Sequence, residues 1–291
     1  MTPPPRFALT GTAGFVAPRH MQAIRDVGGE LVATLDPHDA VGVLDRFDRR
    51  TEFFTEPERF ERHLARLRRG HNGVDWLSVC SPNHLYDVHT RLGLRAGANV
   101  ICEKPLVLSP HNLDALADEE LLTGRRVFTV LQLRLVKSMI DLRTAIQNTG
   151  RTVWHSVEVK YVTPRGSWYQ RSWKGDVDKS GGLVTNIGIH LFDLLIWIFG
   201  KPEKIAVKLR TSTTVAGTLQ LERATVNWFL SIDGEDACRK MTVNGEEIYF
   251  SDGFNELHTR LYEATLAGSG FGIDDARPAI ELVHRLRTYP L

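Results

Sequence analysis

Two residues of this 291-residue chain stand out for the chemistry they could do together: Lys104, in Glu103-Lys104-Pro105, and His190, which ends Gly181-Gly182-Leu183-Val184-Thr185-Asn186-Ile187-Gly188-Ile189-His190. An imidazole can accept the proton of a reacting hydroxyl while an ammonium steadies the oxyanion that forms, which joins general base catalysis to electrostatic stabilisation. Lys104 follows the short apolar run Ala98–Cys102, whereas His190 lies in a helix-like stretch of the other half of the chain. Two domains would therefore have to present them to one ligand. Asn186 precedes His190 by four residues, so on a single helix the amide and the imidazole would share one face.

A cofactor site is legible near the start. Phe7-Ala8-Leu9-Thr10 leads into Gly11-Thr12-Ala13-Gly14-Phe15-Val16-Ala17 and then into the helical stretch Arg19–Val27. Small residues in such a strand-to-helix turn let backbone amides approach a pyrophosphate, and the helix N-terminus adds favourable partial charge. The glycine fingerprint is imperfect, with Ala13 at its second position and Val16 at its third, so the loop alone reads equally well as a tight turn. Asp36 adds weight to the first reading. It closes the run Leu31–Leu35, where an acidic side chain would bond ribose hydroxyls and repel a 2′-phosphate, favouring NAD over NADP; otherwise Asp36-Pro37 is only a turn initiator. Ser81-Pro82-Asn83 and Glu103-Lys104 end later strands, at the crevice edge where doubly wound sheets bind ligands. The expected cofactor-binding set is Gly11, Ala13, Gly14, Phe15, Val16, Asp36, Ser81, Pro82, Asn83, Glu103 and Lys104.

The elements that must position these residues fall into two groups. Up to about residue 133, near-continuous apolar runs (Phe7–Thr10, Leu31–Leu35, Trp76–Cys80, Val100–Cys102, Val127–Leu131) alternate with amphipathic helices such as Asn112–Leu122, which predicts a parallel sheet covered on both faces. After a helix near Ser138–Asn148 the pattern becomes two-faced: Val153–Val162, Ala224–Ile232 and Glu247–Phe250 suit a mainly antiparallel sheet with one open face. One helix from Gly182 to Phe199 would cover the other face, and helices over Phe254–Leu266 and Asp274–Leu286 close the chain. The expected fold is thus α/β, a doubly wound Rossmann domain over residues 1–133 followed by an α+β domain over 134–291. An open apolar sheet face would pair copies of the chain as a homo-oligomer, a dimer or tetramer.

Composition narrows the function classes. With 36 basic and 35 acidic side chains there is no overall field to hold nucleic acid or an anionic membrane. Cys80, Cys102 and Cys238 are odd in number and far apart, which suits reduced thiols rather than a disulfide or zinc framework. The apolar stretch Leu191–Phe199 contains Asp193 and is too short to span a bilayer, so a cytoplasmic protein is expected. His190 and Asp193 are three residues apart, but no cysteine or second histidine lies at ligand spacing, and no metal is expected.

With these motifs in place, the chain resembles the glucose-fructose oxidoreductase and inositol dehydrogenase superfamily, Gfo/Idh/MocA. The carriers are the Gly11 loop, Ser81-Pro82-Asn83, Glu103-Lys104-Pro105 and the Gly181-Gly182 helix start leading to Asn186 and His190. Tyr161-Val162-Thr163-Pro164-Arg165-Gly166-Ser167-Trp168-Tyr169, Ser172-Trp173-Lys174-Gly175-Asp176 and Ser180–His190 are similar to one subgroup, the UDP-N-acetylglucosaminuronic acid 3-dehydrogenases of bacterial O-antigen synthesis. The resemblance implies NAD-dependent oxidation at carbon 3 of a UDP-sugar. Lys104 and His190 become the catalytic pair, with Asn186 where many relatives have aspartate. Lys104, Lys160, Arg165, Tyr169, Trp173, Lys174, Ser180, Asn186 and His190 become the substrate-binding set. Arginine forks suit the diphosphate and carboxylate of such a substrate, and aromatic faces suit its rings. The stretch from Lys160 to Lys179 also contains Asp176 and Asp178, so a salt-balanced exposed loop is the plainer alternative.

There are departures from the superfamily pattern. Tyr86 stands where relatives carry histidine, Leu135-Val136-Lys137-Ser138 lacks the usual histidine and proline, and the segments near 211–217 and 234–240 and the tail after His284 are short. An inositol or free-sugar dehydrogenase, or a non-catalytic NAD-binding regulator, stays open on the same scaffold; a regulator would need neither Lys104 nor His190.

Overall fold

The computed structural model describes residues 3–150, 152–249 and 256–290. The chain forms two compact units, one of residues 1–107, 111–130 and 255–275, the other of residues 108–110, 131–254 and 276–291.

In the first unit β1 (Arg6–Thr10), β2 (Glu30–Leu35), β3 (Glu52–Phe54), β4 (Trp76–Val79), β5 (Asn99–Cys102) and β6 (Val127–Thr129) pair in the order β3-β2-β1-β4-β5-β6. Every pairing is parallel. The connections are α1 (Ala17–Asp26), α2 (Val41–Leu44), α3 (Pro57–Arg69), α4 (Tyr86–Arg95) and α5 (Pro110–Thr123). Strand order reverses between β1 and β4, which makes the C-terminal ends of these two strands the switch point where such sheets bind ligands. All of β4 is buried, as expected of a strand covered on both faces. The short β3 had no legible period, because three residues carry none. Cys80 and Cys102 are buried free thiols, and burial raises both thiol pKa values well above the usual range.

The chain does not divide at a single point near residue 133. α11 (Leu257–Leu266) returns from the far end of the sequence into the first unit, where Tyr262 is fully buried against Phe7 at 5.8 Å between ring centroids. The expected start of this helix at Phe254, like Phe250 in the last expected strand, lies outside the described residues.

The second unit holds α6 (Lys137–Asn148), β7 (His155–Val162), α7 (Trp168–Arg171), α8 (Val177–Ser180), α9 (Gly182–Asn186), α10 (Ile189–Phe199), β8 (Pro202–Arg210), β9 (Thr214–Leu221), β10 (Ala224–Ser231), β11 (Cys238–Val243) and β12 (Glu246–Ile248), and takes the end of α12 (Ile273–Arg287). Its sheet runs β12-β11-β7-β10-β9-β8, antiparallel except where β7 and β10 pair in parallel. Val157, Val159, Val226, Trp228 and Leu230 point to the buried face, where Phe192 of α10 meets Trp228 edge-on at 5.2 Å. Each such fully buried side chain contributes about 1.5–3 kcal/mol. The opposite face is mixed: Ser156, Glu158, Lys160, Thr225, Asn227, Thr218, Gln220 and Lys204 share it with Phe229, Ala216, Leu209 and Ala206, so the open face expected to be apolar is apolar only in part.

The expected single helix from Gly182 to Phe199 is also corrected. It breaks after Asn186, and the axis turns by 45° between Val177–Asn186 and Ile189–Phe199. Gly188 allows the turn to sit close to the sheet, since a Cβ there would meet the Val184 carbonyl at 2.6 Å and Leu230 at 2.7 Å. Among the described residues no single helix is long and apolar enough to cross a membrane.

Candidate functional site

The glycine loop is wedged between two strand ends. Gly11 has φ +87°, donates its N–H to the Leu35 carbonyl at 2.7 Å, and lies so close to Cys80 and Ser81 that a Cβ would stand 2.6 Å from the Cys80 oxygen. Gly14 is similarly confined, its N–H bonded to the Gly11 carbonyl at 2.9 Å. Ala13 and Phe15 are exposed and Gly14 and Val16 half-buried, and α1 starts at Ala17 without a side-chain cap. Pro18 has no N–H, and the Ala17 and Arg19 amides bond the Gly14 and Val16 carbonyls at 3.1 and 3.0 Å, so the helix offers an anion the positive end of its dipole while free donors come from the loop before it. Asp36, 5% exposed, accepts the Ala13 N–H at 2.8 Å on one carboxylate oxygen and the His38 N–H at 2.9 Å on the other. The second of these oxygens also lies 3.2 Å from Nδ1 of His38, whereas the one that takes the Ala13 N–H keeps acceptor capacity for a ribose hydroxyl. A backbone cradle that excludes a Cβ, followed by an acidic strand end, fits the diphosphate and ribose of a dinucleotide.

Ser81 and Asn83 are buried beside this loop, with Pro82 half-buried. The Ser81 hydroxyl lies 2.8 Å from Nδ1 of His89, whose pKa falls to about 4 through burial and, secondarily, the His84 charge. His89 is therefore neutral near pH 7, and Ser81 can donate to it. Tyr86 is buried, and burial pushes its phenol well above its usual pKa.

Between Ile101 and Val107 every residue is buried except Lys104, which is half-exposed. Glu103, expected to bind cofactor, is instead 3% exposed and turned inward. Its Oε1 lies 3.1 Å from Nε2 of His20 and 3.2 Å from Nε2 of His258, and its Oε2 accepts the Lys104 N–H at 3.2 Å. Burial alone would raise the Glu103 pKa, but hydrogen bonds from the two imidazoles outweigh it and hold the carboxyl well below its usual range.

In the second unit, Asn186 ends α9 and donates its amide N–H to the Tyr169 hydroxyl at 2.7 Å. Tyr169 is buried against Ile187 and Ile232, and this burial raises its pKa. His190 is half-exposed on the first turn of α10, where its neighbours Gly188, Ile189 and Leu191 are buried. One turn on, Asp193 takes two hydrogen bonds from Arg134, at 2.6 and 3.0 Å, and is thereby committed to a buried ion pair. A cavity of about 200 Å³ beside Tyr169 is lined also by Lys174, Gly181, Gly182, Arg210 and Arg287. The Lys174 ammonium lies over Trp173 at 4.2 Å, and burial lowers its pKa.

The other expected ligand residues separate. Arg165 is exposed on the loop after β7. Ser180 is enclosed: its hydroxyl donates to the Asp176 carbonyl at 2.8 Å and accepts the Gly182 N–H at 3.0 Å, holding the turn into α9. Lys160 projects from the open face of the sheet, opposite the face on which α9 and α10 pack.

Two family descriptions match the chain: the oxidoreductase family with NAD-binding Rossmann fold over residues 5–130, and the GFO/IDH/MocA C-terminal domain over residues 142–247. The solved structure of the WlbA (WbpB) dehydrogenase from Thermus thermophilus, in complex with NAD and UDP-GlcNAcA, is 52% identical over 99% of this chain and 96% of that one, with a TM-score of 0.94. The chain belongs to the Gfo/Idh/MocA oxidoreductase family. Its first unit is the family's NAD-binding Rossmann domain, and NAD is its cofactor. A second structure of the Thermus WlbA dehydrogenase, with NAD and alpha-ketoglutarate, superimposes with a TM-score of 0.95 at 52% identity over 99% of this chain and 96% of that one. A curated relative, the D-glucoside 3-dehydrogenase of Escherichia coli, is 29% identical over 44% of this chain; the match spans 36% of its length.

Sequence reasoning missed His20, His258, Tyr262 and Ser78 of this Gfo/Idh/MocA chain. The partners of Glu103 lie 83 and 155 residues away, and no local pattern links them.

Proposed function

We propose that the chain is a cytoplasmic NAD-dependent dehydrogenase that oxidises the carbon-3 hydroxyl of UDP-N-acetylglucosaminuronic acid to a ketone, in bacterial O-antigen sugar synthesis. The observation that carries this reading is the 52% identity, over 99% of the chain, to a dehydrogenase solved with NAD and UDP-GlcNAcA. NAD supplies the hydride acceptor. His190 takes the hydroxyl proton, and Lys104 hydrogen-bonds the same oxygen and favours its anionic form. Asn186, steadied by Tyr169 through its amide nitrogen, orients the sugar from the residue that ends α9. Arg165, Lys174 and Trp173 bind the charged and ring portions of the nucleotide sugar. A second copy of the chain, paired through the open sheet face, is the proposed partner.

The test follows absorbance of reduced nicotinamide when protein and NAD meet UDP-N-acetylglucosaminuronic acid, with and without a 2-oxo acid to reoxidise bound cofactor. Reduction with this substrate, and none with myo-inositol or a free glucoside, supports the reading. Turnover of inositol or a glucoside alone moves the chain to another branch of the family, and binding of NAD with no reduction by any of them moves it to the regulators.

A further inference from the structure

We propose that Glu103, held by His20 and His258, is a positioning residue that fixes Lys104 for reaction, so that α1 and α11 control the reactivity of a residue that neither carries. This rests on the reading of Lys104 given above.

The geometry defines one consistent set of protons. An ionised carboxylate only accepts, so both imidazoles must carry hydrogen on Nε2 to reach Glu103 Oε1, at 3.1 and 3.2 Å. Nδ1 of His20 is then an acceptor and takes the Tyr262 hydroxyl proton at 2.7 Å, while the Tyr262 oxygen takes that of Ser78 at 2.6 Å. A continuous chain of bonds thus runs from β4 through α11 and α1 to the end of β5, and its last link is Oε2 on the Lys104 N–H. Pro105, Leu106 and Val107 are buried immediately after, so the Lys104 backbone is held on both sides. The Lys104–Pro105 peptide is cis.

Stability alone does not account for such a cluster. A buried ionised carboxylate costs several kcal/mol to desolvate, and well-packed apolar groups in place of buried charged clusters are often neutral or stabilising. What the cluster provides is a fixed direction for one backbone N–H, next to the half-exposed side chain of that stretch. Losing a donor from Oε1 lets the carboxylate turn or take a proton, and the Lys104 anchor loosens. Misplacement of a reacting group by about 1 Å costs on the order of 100-fold in rate.

The experiment compares the full-length wild type with Glu103→Gln, His258→Leu, His258→Gln and Lys104→Met, measuring single-turnover NAD reduction by UDP-N-acetylglucosaminuronic acid, Kd for NAD, thermal midpoint and bound metal. In Glu103→Gln an amide nitrogen would face the Lys104 N–H or one of the imidazoles. We expect Glu103→Gln and His258→Leu to slow transfer about 10- to 100-fold with Kd for NAD within about threefold, and His258→Gln, whose amide N–H can reach Oε1, to recover most of the rate. Wild-type rates in His258→Leu with only a lowered midpoint, or equal losses in His258→Leu and His258→Gln, overturn the proposal. So does a stoichiometric divalent cation on His20, Glu103 and His258, whose ligand atoms lie within 4.8 Å of one another. Should Glu103→Gln fail to fold, the His258 pair decides. A wild-type rate in Lys104→Met instead brings down the reading of Lys104 itself, and this proposal with it.

Discussion

Replacing Gly11 by alanine tests the cofactor cradle against an internal control. The residue has φ +87°, and an added Cβ would stand 2.6 Å from the Cys80 oxygen and closer still to the Cys80 carbonyl carbon and the Ser81 nitrogen. Ordinary contacts of that kind exceed 3.4 Å, so the loop must retreat from β4 by close to 1 Å. The retreat pulls on the Gly11 N–H to Leu35 bond and on the Gly14 N–H to Gly11 bond, which together set the loop. Gly28 also has positive φ, +71°, but nothing lies within 4 Å of its Cβ position. Left-handed backbone costs an alanine roughly 1–2 kcal/mol at either site. Only Gly11→Ala adds displacement of the amides that face the diphosphate. Isothermal titration should show Kd for NAD weakened at least about tenfold in Gly11→Ala, equal to about 1.4 kcal/mol, and unchanged in Gly28→Ala. Thermal midpoints should fall in both. Wild-type NAD affinity in Gly11→Ala, or equal loss in the two variants, would refute the placement of the diphosphate at this loop.

Four further outcomes are expected. NAD should bind more tightly than NADP, because two unit charges 4 Å apart repel by about 1–4 kcal/mol at the dielectric of a protein surface; Asp36→Ser should narrow the gap, and a wild-type titration favouring NADP contradicts this. Arg165→Ala should weaken the sugar nucleotide while sparing NAD, and calorimetry showing equal losses makes the residue structural. His190→Asn and Lys104→Met should each keep both ligands but slow hydride transfer by roughly two to four orders of magnitude, with the double variant little worse than the poorer single; near wild-type transfer in His190→Asn removes it as the base. Stability should fall on acidification from about pH 6.5, since unfolded His89 protonates there whereas the folded residue resists until about pH 4. That difference is worth roughly 3 kcal/mol, at 1.36 kcal/mol per pKa unit, once the pH is below both values. His89→Gln should flatten this part of a urea-unfolding profile, and an unchanged slope contradicts it.

The parallel sheet was legible because its strands are apolar on both faces, and Asp36 and the Gly11 loop because they sit where a strand ends. The second sheet was legible in β7 and β10, whose alternation is regular, but β8 carries bulges near Pro202 and Val207 that break its period. The helix bearing Asn186 and His190 was read as continuous, since an apolar run carries no sign of a 45° turn; Gly188 was the available signal. That break withdraws the shared-face argument for Asn186 and His190, and the Asn186 to Tyr169 bond takes its place as the observed positioning contact. Ser180 and Lys160 were placed with the ligand residues by the resemblance, which fixes no side-chain direction. Burial in a turn and strand alternation send them elsewhere. The Glu103 cluster was invisible because its histidines come from opposite ends of the chain.

The most direct test of carbon-3 oxidation is isotope transfer. UDP-N-acetylglucosaminuronic acid carrying deuterium at carbon 3 is mixed with enzyme and NAD for a single turnover, and the reduced cofactor is weighed by mass spectrometry. The expected result is one deuterium in the reduced nicotinamide, and none when the label is at carbon 4. Reduced cofactor without deuterium from the carbon-3 label, or no reduction at all in folded protein with NAD bound, would contradict it.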